Sequence, residues 1–120
     1  MKLLKVSLSI DTIDAKFKVF EFEGEKKTKS YVLNSRTHVY SNGERKKEVV
    51  NKIVSFDKLM KPTTRQWDTH KSVRYGLWCL PEQLEEAKEL LKNYITSIVH
   101  KVQEDYHKMV INFNTLKELD

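Results

Sequence analysis

The chain has few of the residues that cross-link or break up a fold: one cysteine, two prolines and three glycines among 120 residues. A lone Cys79 cannot form an internal disulfide, which is typical of proteins in a reducing cytosol. So few glycines and prolines predict short connections without a long linker. Together with the length, this predicts a single domain over residues 1–120.

Long apolar runs are missing as well. No stretch approaches the ~20 apolar residues that span a bilayer, so we expect no membrane partner and a cytoplasmic location. Lys5 interrupts the apolar run at the N-terminus and Asp11 ends it, which argues against a secretory signal.

Motifs of catalysis and of cofactor binding are also missing. We find no nucleophile placed with a base, no glycine-rich phosphate loop and no paired carboxylates. Cys79 alternates with Val73, Tyr75 and Leu77, which predicts a buried and inert thiol. The sequence therefore predicts a protein that is not an enzyme and holds no cofactor.

Positive charge is abundant and unevenly distributed. Residues 1–78 carry 17 basic and 9 acidic side chains, a balance of +8, whereas residues 79–120 carry 5 and 8, a balance of −3. Within Lys26–Arg74 the counts are 13 basic and 4 acidic. Such an asymmetry indicates an anionic partner for the basic half.

Alternating apolar and polar residues predict β-strands in the first two thirds of the chain. Leu4, Val6 and Leu8 alternate with polar residues, which is typical of a half-buried strand. The alternation slips at Val19-Phe20, which predicts either a bulge or a strand that is apolar on both faces.

Further along, the pattern separates strands from turns. Ser30–Leu33 and Arg36–Tyr40 are predicted as two short strands, and Val49–Phe56 as another. Asn42-Gly43 predicts a hairpin turn, and Gly24 also marks a turn. Residues 57–71 contain Pro62 and several threonines, so we expect mostly loop there. Trp78, further along the chain, is expected to pack in the core beneath the helix.

A long helix is predicted after residue 80. Pro81 takes the favoured first helical position, and glutamates fill the first turn. Apolar residues then recur every three or four positions, forming one stripe: Leu84, Ala87, Leu91, Ile95, Ile98, Val102, Tyr106, Met109, Phe113 and Leu116. The sequence therefore predicts an α+β domain, with an antiparallel sheet of about five or six strands in residues 1–79 and a long helix or helical hairpin in residues 80–120.

This stripe is too long for the domain. An unbroken helix from 81 to 118 would be about 55 Å long, whereas a domain of this size has a radius of gyration of about 13–14 Å. Either the helix breaks near Asn112–Asn114 and folds back, or its distal half projects. We favour a homodimer that covers the distal apolar residues: Val102, Tyr106, Met109, Val110 and Phe113.

No metal site is predicted. His100, Glu104 and His107 share one face of the predicted helix, at spacings that metal ligands use. That face lies opposite the apolar stripe and is open to water, and no fourth ligand or supporting group is near in sequence. A solvated helix face explains these residues better.

The basic segment supplies the predicted partner-binding residues. They combine positive charge with one indole in a loop-like stretch, and they are Arg36, Arg45, Lys46, Lys47, Lys52, Arg65, Trp67 and Arg74.

Three readings of this segment stay open. Tyr31, Tyr40 and Trp67 could stack on bases while the cations follow a phosphate backbone. Lysines outnumber arginines 18 to 4, however, and arginine is the better reader of phosphates and bases, which favours an acidic protein partner. The segment could also be a solvated sheet face whose lysines prevent edge-to-edge association.

Several segments together resemble small Lys-rich accessory proteins of bacteriophages that infect low-GC Gram-positive bacteria. They are Lys2–Val6, Lys29–Leu33 and Tyr75–Cys79, the last of which leads into Pro81–Ile95. The resemblance implies host-takeover or anti-defence proteins that bind stoichiometrically: they inhibit a host enzyme, a CRISPR effector or another defence protein, or sequester a nucleotide signal. Phage proteins that sequester cyclic nucleotides use arginines near the chain end, and this chain has none after Arg74.

The favoured function is therefore a phage-encoded inhibitor of a bacterial protein in the host cytoplasm. Its basic segment, Lys26–Arg74, would occlude an acidic or nucleic-acid-binding surface of the target. One alternative is direct nucleic-acid binding by that segment. The other is sequestration of a nucleotide signal in a pocket at an oligomer interface.

Overall fold

The computed structural model describes residues 1–9, 17–39, 43–67, 72–116 and 118; the side chains of 9, 39, 65–67, 72 and 73 fall outside the description. The described residues form six strands, two short 3₁₀ turns (Phe56–Lys58 and Pro81–Gln83) and one helix. Their bounds are β1 Lys2–Ser9, β2 Phe17–Lys26, β3 Ser30–Val39, β4 Arg45–Ser55, β5 Thr63–Trp67, β6 Ser72–Cys79 and α1 Leu84–Leu116.

All six strands belong to one antiparallel sheet in the order β4-β3-β2-β1-β6-β5. The N-terminal part of α1 packs on the neighbouring strands β1 and β6, nearer the β5 edge than the β4 edge. The predicted α+β class is confirmed, with six strands and one long helix.

Alternation along β1 and β6 divides the core between the two faces of the sheet. On the helix face, a buried cluster joins side chains of both strands to α1: Leu4, Val6, Leu8, Tyr75, Leu77, Cys79, Ala87, Leu91 and Ile95. The opposite face carries a second buried cluster: Leu3, Phe22, Tyr31, Leu33, Val54 and Trp78.

Strand β2 is apolar on both faces because it contributes to both clusters. The pairing of β1 with β2 runs without a shift from Lys2↔Glu23 to Leu8↔Phe17. The predicted slip at Val19-Phe20 is therefore no bulge: Val19 packs against the helix-face cluster, and Phe22 lies in the opposite one.

The sheet curls around the face opposite the helix. In a flat sheet with about 4.8 Å between neighbouring strands, β4 would lie roughly 24 Å from the outer side of β6, where β5 pairs and Leu59 bridges. Ser55 ends β4, yet Leu59 already bridges to Trp78 of β6, and the four chain steps between them span at most about 14 Å. The Phe56–Lys58 turn therefore closes one end of a half-open barrel, where the Phe56 ring packs 4.9 Å from the Tyr31 ring.

Two strand assignments need correction, and a third is confirmed. The segment 57–71, expected as mostly loop, contains β5, whose threonines pair with β6 from Thr63↔Gly76 onward. The two strands predicted over residues 30–40 form one strand, β3, with a register shift between Leu33 and Ser35. Val49–Phe56 was predicted as a strand, and β4 confirms it over Val49–Ser55.

The two glycine predictions have different outcomes. Gly24 does not mark a turn: it lies within β2, at the register shift between β2 and β3. Gly43 has φ of +86°, the region that the predicted hairpin turn requires. Asn42 and Tyr40, which were assigned to that turn and the strand before it, lie outside the described residues.

The helix does not break near Asn112–Asn114, which confirms the long-helix alternative and excludes the helical hairpin. The Pro81–Gln83 turn leads directly into α1, and the Leu80 N–H donates to Gln83 Oε1 at 3.1 Å. From there α1 continues for 33 residues to Leu116. Its distal half projects, which raises the radius of gyration to 19.0 Å, well above the ~13–14 Å of a compact domain. No described helix has a stretch apolar enough to cross a membrane.

Candidate anion-binding cavity

A basic cavity of about 340 Å³ lies on the concave face of the curled sheet, opposite the helix. It is called the basic cavity below. Its cations come from four different strands: Lys5 of β1, Arg36 of β3, Lys52 of β4 and Arg74 of β6. No carboxylate is found among the described residues that line it.

Register and curl together bring these cations to one place. Lys5 lies opposite Phe20 on one side and Trp78 on the other, so all three share the concave face. Arg36 lies opposite Phe22 and joins the same face. Lys52 reaches the cavity only because the sheet curls: three strands separate β4 from β6, yet its Nζ lies 5.2 Å from the centre of the Trp78 ring.

Aromatic rings form the floor of the basic cavity. Trp78 is only 7% exposed, and Phe22 packs against it edge to face with ring centres 4.9 Å apart. The Nζ of Lys5 lies 5.0 Å from the centre of the same indole ring, so Lys5 and Lys52 are both attracted to the π-face of Trp78. A ligand would therefore meet ammonium groups rather than an open ring.

Arg36 is held by a carboxylate outside the cavity lining. Its guanidinium donates to Glu48 Oε2 and lies 6.0 Å from the Phe20 ring. That hydrogen bond and the positive charge hold the pKa of the Glu48 carboxyl below its usual range. The Arg36 Nε is buried and has no hydrogen-bond partner among the described residues. Because Glu48 offsets the charge of Arg36, the net positive charge of the cavity comes mainly from Lys5, Lys52 and Arg74.

The structure divides the predicted partner-binding residues. Arg36, Lys52 and Arg74 meet in the basic cavity, whereas Arg45 and Lys47 lie on the helix face.

On the helix face, Arg45 Nη1 lies 3.8 Å from Glu21 Oε2, and Lys47 Nζ lies 3.6 Å from Glu23 Oε2. Lys46 pairs with His38 on the cavity face, and the His38 ring stacks on Phe20 with centres 5.9 Å apart. The basic run 45–47 therefore does not form one surface, because neighbouring strand residues point to opposite faces.

Two predicted contact residues cannot be placed as side chains. Arg65 pairs with Arg74, and Trp67 with Ser72, along the backbones of β5 and β6. The side chains of Arg65 and Trp67 lie outside the described part of the structure. Tyr31, predicted to stack on bases, is only 5% exposed and packs in the core, so its ring is unavailable to a ligand.

The cavity residues that sequence reasoning missed include Lys5, Phe20, Phe22 and Trp78. Trp78 was expected beneath the helix but lies on the opposite face, because its neighbours Leu77 and Cys79 take the helix face. The signal was present in the alternation, which places Trp78 and Lys5 on the same face as Ser7. What the sequence did not show was the curl that covers this face.

The side chains that the sequence predicted as a dimer interface, in the distal half of α1, are exposed. Val102, Tyr106, Met109 and Phe113 are 57–68% exposed, and Val110 is 38% exposed. In the same region, His100, Glu104 and His107 all lie on exposed helix positions. No group of three or more metal-ligating side chains is present in the described parts of the chain.

Comparison of the chain with protein-family models, with curated proteins and with solved structures gave no match in any of the three.

Proposed function

We propose that this is a non-enzymatic binding protein whose basic cavity engages an acidic segment of a macromolecular partner and thereby occludes it. One observation carries the proposal: four cationic side chains from four strands converge on one concave face whose described lining holds no carboxylate. Like charges brought together in this way repel one another, and an anionic partner relieves that repulsion.

The form of the cavity favours acidic side chains over single-stranded nucleic acid. Non-specific binding of single strands depends on aromatic faces on which successive bases stack. Here the Trp78 ring is buried beneath Lys5 and Lys52, and Tyr31 packs in the core. Lysine ammonium groups bind carboxylates as compact charges and need no flat ligand.

A phosphate-bearing small ligand is the second candidate, because the cavity volume of about 340 Å³ falls within the range of small-molecule sites. A nucleotide would place its phosphates between Lys5, Lys52 and Arg74. This cavity is built within one chain, unlike the oligomer-interface pocket that the sequence suggested.

The phage origin and the inhibitory role rest on the sequence resemblance. In this proposal the chain is a host-takeover or anti-defence protein that acts in the bacterial cytoplasm by one-to-one binding. The target would present a protruding acidic segment, since a concave recess accepts a projection better than a flat surface.

A pair of charge-matched variants tests the proposal. Lys52→Glu with Arg74→Glu reverses two exposed cations of the cavity, while Lys58→Glu with Lys61→Glu makes the same charge change at exposed positions outside it. Each tagged protein captures partners from nuclease-treated Gram-positive bacterial lysate, and the captured protein is then produced pure and titrated by calorimetry.

We expect a protein partner that binds the wild type with one-to-one stoichiometry and is inhibited by it. The cavity variant should lose at least tenfold in affinity, while the control variant stays near the wild-type value. Equal losses in both variants would show that only bulk charge matters. Saturable binding of a free nucleotide to the wild type, abolished in the cavity variant, would replace the acidic partner with the small ligand.

A further inference from the structure

The distal half of α1 carries a seven-residue repeat in its apolar stripe. From Ile95 to Leu116, apolar residues occupy all seven a and d positions of a heptad pattern, at alternating intervals of four and three. They are Ile95, Val99, Val102, Tyr106, Met109, Phe113 and Leu116. A strict repeat of this kind is typical of a helix that pairs with another helix, whereas packing on a sheet requires only a broad apolar stripe.

The residues of the repeat are buried at the start of the repeat and exposed toward its end. Ile95 is buried against the sheet of its own chain, and Val99 packs partly against the same cluster. From Val102 onward the stripe is open, and Leu116 at its end is 59% exposed. Covering these side chains removes apolar surface from water and is favourable, so the open stripe favours a partner helix with the same spacing.

A second copy of this chain is the occupant that fits, and the position of the sheet fixes its direction. The sheet packs on the same side of α1 as the stripe, because Ile95 belongs to both. In a parallel pair the two stripes would face each other along their whole length, and both sheets would lie between the two helices. The helix axes would be only about 8–10 Å apart, which leaves no room for either sheet. In an antiparallel pair, each distal helix occupies the space beyond the end of its own sheet, and the two sheets lie at opposite ends.

We propose that two copies associate through an antiparallel pair of distal helices, with each a position opposite a d position of the other copy. The register that overlaps the open stripes most fully sets Val102 against Phe113 of the second copy and Tyr106 against Met109. This register also sets Asp105 beside Asn112 and Gln103 beside Val110, so no like charges face each other. The interface leaves both basic cavities open, since each lies on the far face of its sheet.

Two variants that each carry one added cysteine, Val102→Cys and Phe113→Cys, test the direction and register directly. In the antiparallel register, the two copies of either substituted residue lie about 16 Å apart along the helix pair, too far for a disulfide between copies of the same variant. In the antiparallel register the two variants form a covalent dimer only when they are mixed before mild oxidation. Neither variant alone should cross-link, and the wild type serves as the blank because Cys79 is fully buried.

The alternative outcomes are equally distinct. Cross-linking of each variant on its own, without the mixed product, would establish a parallel pair and overturn the arrangement. No cross-linked product, together with a monomer mass by light scattering for the wild type at tens of micromolar, would overturn the dimer itself.

Two glutamate variants, one on the proposed face and one opposite it, test the same face without disulfides. Tyr106→Glu with Met109→Glu should give a folded monomer, because it places charges in the centre of the proposed interface. Ile111→Glu makes the same kind of change at a residue that is 51% exposed on the opposite side of the helix, and it should remain dimeric. Dimer loss in both variants would indicate a non-specific effect and contradict the proposed face.

Discussion

At the scale of single residues, Gly24 is held by the close approach of two strands. A Cβ atom there would lie 2.0 Å from the Val32 carbonyl oxygen and 2.7 Å from the Leu33 Cα. Both atoms belong to the backbone, so the clash cannot be relieved by rotating a side chain. The register shift beside Gly24 therefore depends on the absence of a side chain at this position.

We expect Gly24→Ala to lower the free energy of unfolding by about 3 kcal/mol, at the upper end of the range for overpacking. Gly76→Ala is the matched control. There a Cβ atom would lie 3.0 Å from the flexible Lys5 side chain and 3.2 Å from the Val6 carbonyl oxygen, which needs only a small shift, so the cost should be about 1 kcal/mol. Urea titrations of both variants measure the difference, and equal costs would contradict the steric explanation.

The buried thiol of Cys79 gives a prediction about alkaline pH. Burial, and to a smaller extent the nearby Glu82 carboxylate, raise the pKa of this thiol to about 11. In the unfolded chain the thiol ionises near its ordinary value of about 9, so between these values the unfolded state binds fewer protons. The contribution of Cys79 to stability is therefore complete below about pH 9 and is lost as the pH rises toward 11.

Cys79→Ala isolates this effect from the lysines and tyrosines that titrate in the same range. The difference in urea midpoint between wild type and variant should shrink as the pH rises from about 8 to about 10.5. A difference that stays constant over this range would show that the thiol is not held in its neutral form by the fold.

At the scale of secondary-structure elements, the sequence predicted those strands and helices whose apolar residues repeat with the spacing of one buried face. β1, β6 and α1 were identified because their apolar residues follow the spacing of the face they bury. β5 was missed because Pro62 and Thr63 are typical of loops, whereas its pairing with β6 decides its conformation. The curl of the sheet was not predictable from any single strand, since it follows from the short segment between the end of β4 and Leu59, which bridges to β6.

The same reasoning explains why only part of the cavity was predicted. Arg36, Lys52 and Arg74 were identified by charge alone. Lys5 and Trp78 belong to the cavity because of curl and register, neither of which a single strand shows.

The proximal half of α1 is expected to hold the helix on the sheet. Leu91 is fully buried between α1 and the β1–β6 pair, so Leu91→Ala removes packed atoms and leaves a cavity. We expect a loss of about 2–5 kcal/mol in the free energy of unfolding. Ile111→Ala, on the outer face of the exposed distal half, should cost less than about 1 kcal/mol when both are compared by urea denaturation.

At the scale of the whole molecule, the two proposed binding regions are spatially separate. The basic cavity lies on the concave face of the sheet, and the open stripe lies on the part of α1 that projects beyond it. Both buried clusters, and the side chains that pack against them, come from residues up to Val99. The distal helix is thus not part of the core of its own chain, and the two regions should be separable.

A chain shortened to residues 1–100 tests this separation. It retains every residue of both clusters, so we expect it to unfold cooperatively and to keep the partner affinity of the full chain. It should be monomeric, with a radius of gyration near 13 Å by small-angle scattering, as expected for a compact chain of that length. Loss of cooperative unfolding would mean that the distal helix supports the core through the second copy, because no described residue of its own chain buries it. In that case the dimer would be a condition of folding, and the cavity would have to be tested in the full chain only.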